Sequence, residues 1–195
     1  KYYSMKEFRY NNITQPNRNR LLFIDPTVDG LKTGHTDAAG YNLIATAKRV
    51  SPAVPQGRRL LAIVFGTASE KDRANETQKL INWGYTAFEG VQLLAADQPA
   101  QQARVWKGQQ NEVGMGSRQP IVVAVPAGQG QSVTTQIEVN KPLVAPLAAD
   151  QAIGTLKASL NGQPVASVPL VALQAVPEAG FFGRLWDAIQ MLFAK

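Results

Sequence analysis

One stretch decides the fold of this chain: Val28-Asp29-Gly30-Leu31-Lys32-Thr33-Gly34-His35-Thr36-Asp37-Ala38-Ala39-Gly40-Tyr41-Asn42. From 31 to 47 the sequence predicts a strand that is interrupted by the polar segment 34–40. A continuous apolar run at 60–66 has the pattern of a strand buried on both faces. Because only the Pro- and Gly-bearing link 51–57 lies between the two, we expect them to be neighbouring antiparallel strands.

Two further elements are expected around this sheet. The short apolar segment 21–24 is predicted to be a strand. Ser69, followed three residues later by Asp72, fits a capping box, which predicts the start of a helix. The helix is predicted to extend over 70–85 and to pack one side against the sheet. The residues at helical spacing on this side are Ala74, Thr77, Leu80, Ile81 and Tyr85.

Beyond residue 91 the helical periodicity stops, and short alternating segments separated by Pro, Gly and Asn follow. Strands are predicted at 121–125, 133–139, 153–160 and 164–176. Asn161-Gly162 is a strong hairpin signal between the last two. We therefore expect a separate all-β domain over 91–178.

The segment 181–195 is predicted to be a strongly amphipathic helix, the core of a terminal region 179–195. Its apolar side chains fall within about a 140° arc, with Arg184, Asp187, Gln190 and Lys195 opposite. A helix of this length spans about 22 Å, too short to cross a bilayer. Either it packs on its own β domain or it lies at a membrane surface. The apolar set is Phe181, Phe182, Leu185, Trp186, Ile189, Leu192 and Phe193.

Composition excludes several classes of function. The chain has 195 residues, no cysteine and a net charge of +6, of which +5 falls in residues 1–90 (13 Lys/Arg against 8 Asp/Glu). No zinc-finger or RNP-type pattern accompanies the basic surplus, so we expect no nucleic-acid partner. His35 is the only histidine and has no cluster of nearby ligands in the sequence, so no metal site is expected. No cofactor is expected either. The chain opens on Lys1 without a signal segment, which favours a processed or cut N-terminus.

Lys32-Thr33-Gly34 is one of the three active-site motifs of penicillin-recognising serine enzymes. Together with its flanks 17–22 and 39–43, and with Trp83-Gly84, it closely resembles the low-molecular-mass penicillin-binding proteins that are D-alanyl-D-alanine carboxypeptidases. The resemblance covers essentially the whole chain. It implies an α+β fold: the C-terminal part of a β-lactamase/transpeptidase-like catalytic domain at 1–90, then the all-β domain, then a membrane-anchor helix.

The resemblance also implies roles in substrate binding. Lys32 places a cation near the developing charge, and the hydroxyls of Thr33 and Thr36 bond polar groups of the substrate. Gly34 lets the substrate backbone approach a strand edge, and the backbone N–H of His35 contributes to the oxyanion hole. For the His35 side chain the alternatives are acid–base catalysis and a local structural role.

A carboxypeptidase must recognise a free terminal carboxylate, which suits a guanidinium group. Arg18 and Arg73 occupy positions where the resembling enzymes have arginines. Each is therefore a candidate for this contact, and the alternative for each is a solvated surface charge.

The serine nucleophile is not found. No Ser-x-x-Lys occurs in residues 1–195, and Ser159-Leu160-Asn161, which matches Ser-x-Asn, leads into a predicted hairpin turn. We therefore expect an N-terminal fragment carrying Ser-x-x-Lys as a partner, without which residues 1–90 expose apolar strand surface.

The expected activity is removal of the terminal D-alanine from peptidoglycan pentapeptides, with β-lactams binding at the same site. The expected location is the periplasmic face of the inner membrane. The alternatives are a β-lactamase-type hydrolase and a non-catalytic, membrane-associated β module. The β-lactamase alternative is disfavoured, because about 100 residues follow the sheet that carries Lys-Thr-Gly and the helix after it.

Overall fold

The computed structural model describes residues 2–193. The chain divides into two compact units, with the boundary between Glu89 and Gly90. The Lys195 side chain of the predicted terminal helix lies outside the described residues. The first unit contains these elements: β1 (Glu7–Tyr10), β2 (Ile13–Pro16), α1 (Leu21–Ile24), β3 (Val28–Thr36), β4 (Gly40–Ser51), β5 (Val54–Thr67) and α2 (Glu70–Ala87).

A three-stranded antiparallel sheet in the order β3-β4-β5 forms the centre of the first unit. The predicted single strand at 31–47 is instead a hairpin, because the polar segment turns the chain and Gly40 takes a φ of +65°. Its register pairs Lys32 with Ile44 and His35 with Tyr41. The prediction that the 60–66 strand lies antiparallel to its predecessor is confirmed.

The segment 21–24 is a single helical turn, so its prediction as a strand is wrong. The side chain of Asn19 accepts the Leu21 N–H at 3.1 Å, and the Asp25 N–H donates to the Leu21 carbonyl. Leu21 and Leu22, which are neighbours in sequence, are both buried, whereas a half-buried strand would bury alternate residues.

Strand β5 is not buried on both faces in this chain, contrary to its prediction. Leu61, Ile63 and Phe65 are 58%, 46% and 69% exposed, whereas Ala62 is buried. The reason is that α2 packs against one face of the sheet only, where it joins the buried cluster around Leu43. We call these three exposed side chains the open apolar stripe.

Helix α2 confirms its predicted start and extends two residues past its predicted end. Ser69 is the N-cap: its hydroxyl accepts the Asp72 N–H at 3.1 Å and donates to the Asp72 carboxylate at 2.6 Å. Ala74, Thr77 and Ile81 are buried against the sheet.

Eight strands and one helix follow, mostly within the second unit: β6 (Phe88–Leu94), β7 (Pro99–Trp106), β8 (Glu112–Gly116), β9 (Ile121–Pro126), β10 (Val133–Val139), β11 (Leu143–Val144), β12 (Ala152–Leu160), β13 (Gln163–Ala172) and α3 (Phe181–Phe193). Six of the strands form a sheet in the order β10-β12-β13-β8-β7-β11, and β6 pairs with β9. Their inward side chains, among them Met115, Ile153 and Leu170, make one buried core.

The four strands predicted here correspond to β9, β10, β12 and β13, the last of which ends at Ala172 rather than at 176. Asn161 and Gly162 both have positive φ, 51° and 79°, as a two-residue hairpin turn of type I′ requires. The predictions missed β6, β7, β8 and β11. The outward residues of β7 are Gln and Arg between single buried apolar positions, so its apolar pattern is weak.

Helix α3 contacts the strands of the second unit, called the β unit below, through its polar side. Asp187 accepts the backbone N–H of Lys107, and the Gln190 amide oxygen accepts a bond from Arg104 at 2.9 Å. Arg184 pairs with Glu178 at 2.7 Å. Within residues 2–193, no helix is both long enough and apolar enough to cross a membrane.

Candidate functional site

The Lys-Thr-Gly segment lies on β3, at one edge of the described sheet. Strand β4 pairs with one side of β3, and no other described strand pairs with its second side. Lys32 and Gly34 are exposed, and the Lys32 ammonium donates to the Thr33 carbonyl at 2.5 Å. The outer edge of β3 therefore has no paired strand among the described residues, and it lies next to a cation.

Lys32 points to the same face of the sheet as the open apolar stripe. Lys32 is the cross-strand partner of Ile44, which in turn pairs with Ile63 of the stripe. Directly paired residues project from the same face of a sheet. Thr33 and His35 project from the other face, because Thr33 pairs with the buried Leu43.

The side chains of His35, Tyr41 and Arg73 form a continuous row. The His35 and Tyr41 ring centroids are 3.9 Å apart, and the Arg73 guanidinium carbon is 5.5 Å from the Tyr41 ring centre. This row connects the end of the Lys-Thr-Gly segment to α2. Tyr41 was not among the predicted site residues. The signal that could have found it is the hairpin register, in which it stands opposite the residue that follows Gly34.

The two candidate arginines differ in burial. Arg73 is 3% exposed, and its guanidinium donates to the Glu70 carboxylate at 2.8 Å and to the Arg18 carbonyl at 3.2 Å. Arg18 has an exposed side chain and lines an open groove together with Arg20 and Lys71. The structure thus brings the two predicted arginines together through a backbone bond, with only the Arg18 charge facing solvent.

Two polar side chains shape the turn after β3. The Thr36 hydroxyl accepts the Ala39 N–H at 3.1 Å and keeps its own hydrogen available. The Asn42 side chain accepts the Gly66 N–H at 2.8 Å and donates to the Gly40 carbonyl at 3.1 Å. These bonds fix the hairpin end that carries His35.

Two polar groups that the sequence predictions missed hold β3 in place. The buried Asn19 donates to the Gly30 carbonyl at 3.0 Å. Asp29 accepts two bonds from Arg59, at 2.6 and 2.7 Å, and one from the Thr46 hydroxyl. The paired Arg59 guanidinium is the main reason that the pKa of Asp29 lies below its ordinary value of 3.8.

The remaining motif residues lie in the second unit. Ser159 is on β12 opposite Pro164, beside the Asn161-Gly162 turn. The seven predicted anchor side chains lie on α3, each of them at least 44% exposed. Among residues 2–193, no group of three or more His, Cys, Asp or Glu side chains is placed to hold a metal ion.

Two family models match the chain. The model described as D-alanyl-D-alanine carboxypeptidase matches residues 1–69, and the model of the C-terminal domain of penicillin-binding protein 5 matches residues 88–178. The two matched ranges together cover most of the chain.

Individual relatives agree with the family models. D-alanyl-D-alanine carboxypeptidase DacC of Escherichia coli is 40% identical over 190 residues, covering 96% of this chain and 46% of the relative. DacA of Haemophilus influenzae is also 40% identical over 190 residues, covering 96% of this chain and 47% of the relative. The chain therefore spans about half the length of the curated relatives it matches.

A solved structure extends the likeness to the fold. Penicillin binding protein 5 from Haemophilus influenzae superposes with a TM-score of 0.73 at 39% identity, covering 90% of this chain and 50% of that one. This likeness confirms the predicted α+β class. The chain belongs to the D-alanyl-D-alanine carboxypeptidase family of penicillin-binding proteins and corresponds to the C-terminal portion of its members.

Proposed function

We propose that this chain forms one wall of the active site of a serine D-Ala-D-Ala carboxypeptidase, and that a segment outside residues 1–195 supplies the nucleophile. The observation that carries the proposal is the position of Lys32, which projects from the same sheet face as the open apolar stripe, beside the unpaired edge of β3. A polypeptide that covered the stripe would also lie against Lys32. Residues 1–90 are then the C-terminal part of the catalytic domain.

The proposed partner is an N-terminal segment that carries Ser-x-x-Lys. Leu61, Ile63 and Phe65 are every second residue of β5, and all three are exposed. Burying each such side chain contributes about 1.5–3 kcal/mol to the stability of the complex. This gain stabilises the association of the segment with the sheet. The chain together with this segment is called the assembled enzyme below.

The proposed reaction is acyl transfer followed by hydrolysis. The serine oxygen attacks the carbonyl carbon of the penultimate D-alanine, and the bond to the terminal D-alanine breaks. The leaving amine takes a proton as it departs, and water then cleaves the acyl-enzyme ester. A β-lactam acylates the same serine by opening its ring amide.

The substrate is proposed to lie antiparallel along the outer edge of β3. An extended peptide can pair with the unpaired backbone groups of an exposed edge. A Cβ at Gly34 would meet nothing nearer within the chain than the Cβ of Asn42, at 3.9 Å, so packing within this chain does not demand glycine there. Close approach of a substrate backbone does demand it.

The charged and polar groups around this edge have separate proposed roles. Lys32 stabilises negative charge near the serine, and the hydroxyls of Thr33 and Thr36 bond the substrate. The backbone N–H of His35 donates to the oxyanion, while its imidazole rests on Tyr41 and acts structurally. Arg18 and Arg73 are the candidates for binding the terminal carboxylate, and the exposure of Arg18 supports it as the direct contact.

Helix α3 is proposed to anchor the enzyme to the periplasmic face of the inner membrane. Its polar side is occupied by the β unit, whereas Phe182, Leu192 and Phe193 are more than 80% exposed. A helix with an exposed aromatic face and a satisfied polar face has the properties of an interfacial helix.

The test of the activity is release of D-alanine from a peptide that ends in D-Ala-D-Ala. We expect the assembled enzyme to release it, Lys32→Met to lose at least about a hundredfold in rate, and Lys79→Met, on the exposed side of α2, to retain it. Turnover of penicillin without release of D-alanine would indicate a β-lactamase instead. Neither activity would indicate a non-catalytic module.

A further inference from the structure

The basic residues of the second unit are unevenly paired. Among the cations described there, Arg118 pairs with Asp97 and Asp150, Lys157 with Glu138, and Arg184 with Glu178. The other three make no described ion pair, although Arg104 stands opposite Glu112 in the β7–β8 ladder: Arg104, Lys107 and Lys141.

These three cations all lie beside α3. Arg104 and Lys141 line a groove on one side, together with Met191 of the helix. Lys107 lines a second groove, together with Phe181 and Leu185 of the helix. The unpaired positive charge of the β unit is thus concentrated next to the helix rather than spread over the unit.

The carboxylates near the grooves do not cancel this charge. Glu112 lines the first groove, and Glu178 lines the second but is paired with Arg184. Asp187, on the helix itself, is turned toward the backbone N–H of Lys107. Four cations therefore face three carboxylates, which leaves a net positive rim around α3.

The depth of these charges follows from the way α3 is docked. An interfacial helix puts its apolar face into the acyl boundary and keeps its polar face at the level of the headgroups. The polar face of α3 lies on β7, where Arg104 bonds Gln190. With α3 anchored in this way, the cations that flank its polar face would lie at the depth of the lipid phosphates.

We propose that Arg104, Lys107 and Lys141 form a headgroup-binding rim that selects anionic phospholipids. The inference rests on the proposed anchoring role of α3 and extends it, because the helix alone supplies apolar contact and the β unit supplies the charge. The binding strength of an interfacial helix increases with its buried apolar area and with its electrostatic attraction to anionic lipids. Long side chains let the charged ends of Lys107 and Lys141 reach the phosphates from the grooves.

The test compares binding of the assembled enzyme to vesicles of phosphatidylcholine alone and of phosphatidylcholine mixed with phosphatidylglycerol. The test variant is Lys107→Gln/Lys141→Gln, which leaves Arg104 and its bond to Gln190 in place. The control is Lys79→Gln/Lys157→Gln, which removes the same charge from two lysines already paired with Glu76 and Glu138. An unchanged circular dichroism spectrum and an unchanged thermal unfolding midpoint verify that each variant is folded.

We expect the unmodified enzyme to prefer the mixed vesicles, and the test variant to bind them roughly ten- to thirtyfold more weakly while its affinity for neutral vesicles stays unchanged. The control should match the unmodified enzyme, and added salt should shrink the preference. Equal binding of the test and control variants to the mixed vesicles would contradict the proposed headgroup-binding rim. Failure of the unmodified enzyme to bind either kind of vesicle would overturn the anchor itself, and the rim with it.

Discussion

The imidazole of His35 rests on the phenol ring of Tyr41, with the two ring centroids 3.9 Å apart and the ring planes inclined by 32°. The two residues are cross-strand partners in the β3–β4 hairpin, just before the turn. The Arg73 guanidinium approaches the same phenol ring from α2. Tyr41 therefore couples the residue after Lys-Thr-Gly to the helix that supports the sheet.

Replacing Tyr41 should loosen the end of β3. We expect Tyr41→Ala to reduce the rate of acylation by a fluorescent penicillin by about tenfold or more, because the proposed oxyanion donor on His35 loses its support. Tyr41→Phe keeps the ring and should label at nearly the normal rate. An unchanged rate in Tyr41→Ala would contradict a positioning role for this ring.

Replacing Arg73 should destabilise the first unit. Arg73→Ala removes a 3%-exposed guanidinium and leaves the Arg18 carbonyl without its donor, at an expected cost of about 2–4 kcal/mol in the free energy of unfolding. Urea unfolding of the assembled enzyme measures this. Arg9→Ala, an exposed arginine of β1, is the control and should change little. If Arg73→Ala instead lost peptide turnover while its free energy of unfolding stayed unchanged, the role of Arg73 would be substrate binding and not stabilisation of the fold.

The Asp29–Arg59 pair predicts an acid-sensitive link between β3 and β5. The pKa of Asp29 is lowered in the folded protein, so its stabilising effect is fully present above the unfolded value of 3.8 and is lost as the pH falls through the lower folded value. Asp29→Asn should lower the thermal midpoint at pH 7, and the difference from the unmodified enzyme should shrink below about pH 3.8.

The control for this pH dependence is Asp37→Asn, in the exposed turn after β3, which should leave the thermal midpoint unchanged at both pH values. A deficit in Asp29→Asn that stayed constant from neutral to acidic pH would refute the role of the carboxylate charge.

The contact between α3 and the β unit can be followed at a single amide. Because the Asp187 carboxylate accepts the Lys107 N–H, Asp187→Ala should speed hydrogen exchange at that amide. Asp187→Asn, which retains an acceptor oxygen, should exchange more slowly than the alanine variant. Equal exchange in all three proteins would show that the helix does not dock through its polar face.

Local signals in the sequence were sufficient for several elements. Ser69 with Asp72 marks the start of α2, and Asn161-Gly162 marks the β12–β13 turn, because each depends on residues within a few positions of one another. The Lys-Thr-Gly motif is equally local, so the site residues 32–36 could be located on a single strand.

Other features depend on contacts that a sequence does not display. Four apolar residues at 21–24 suit a strand or a helical turn equally well, and the side chain of Asn19 decides between them. The exposure of Leu61 depends on what covers the second face of the sheet, and the burial of Arg73 depends on the carbonyl of a residue 55 positions away. The row from His35 to Arg73 likewise requires the register that the turn at Gly40 sets.

The most direct measurement is to map the residue that a β-lactam acylates in the assembled enzyme, by mass spectrometry of its peptides. We predict an adduct on a serine outside residues 1–195, formed much more slowly in Lys32→Met than in the Lys79→Met control. An adduct on a serine within residues 1–195, or acylation at the normal rate without Lys32, would contradict the assignment of β3 as one wall of the site.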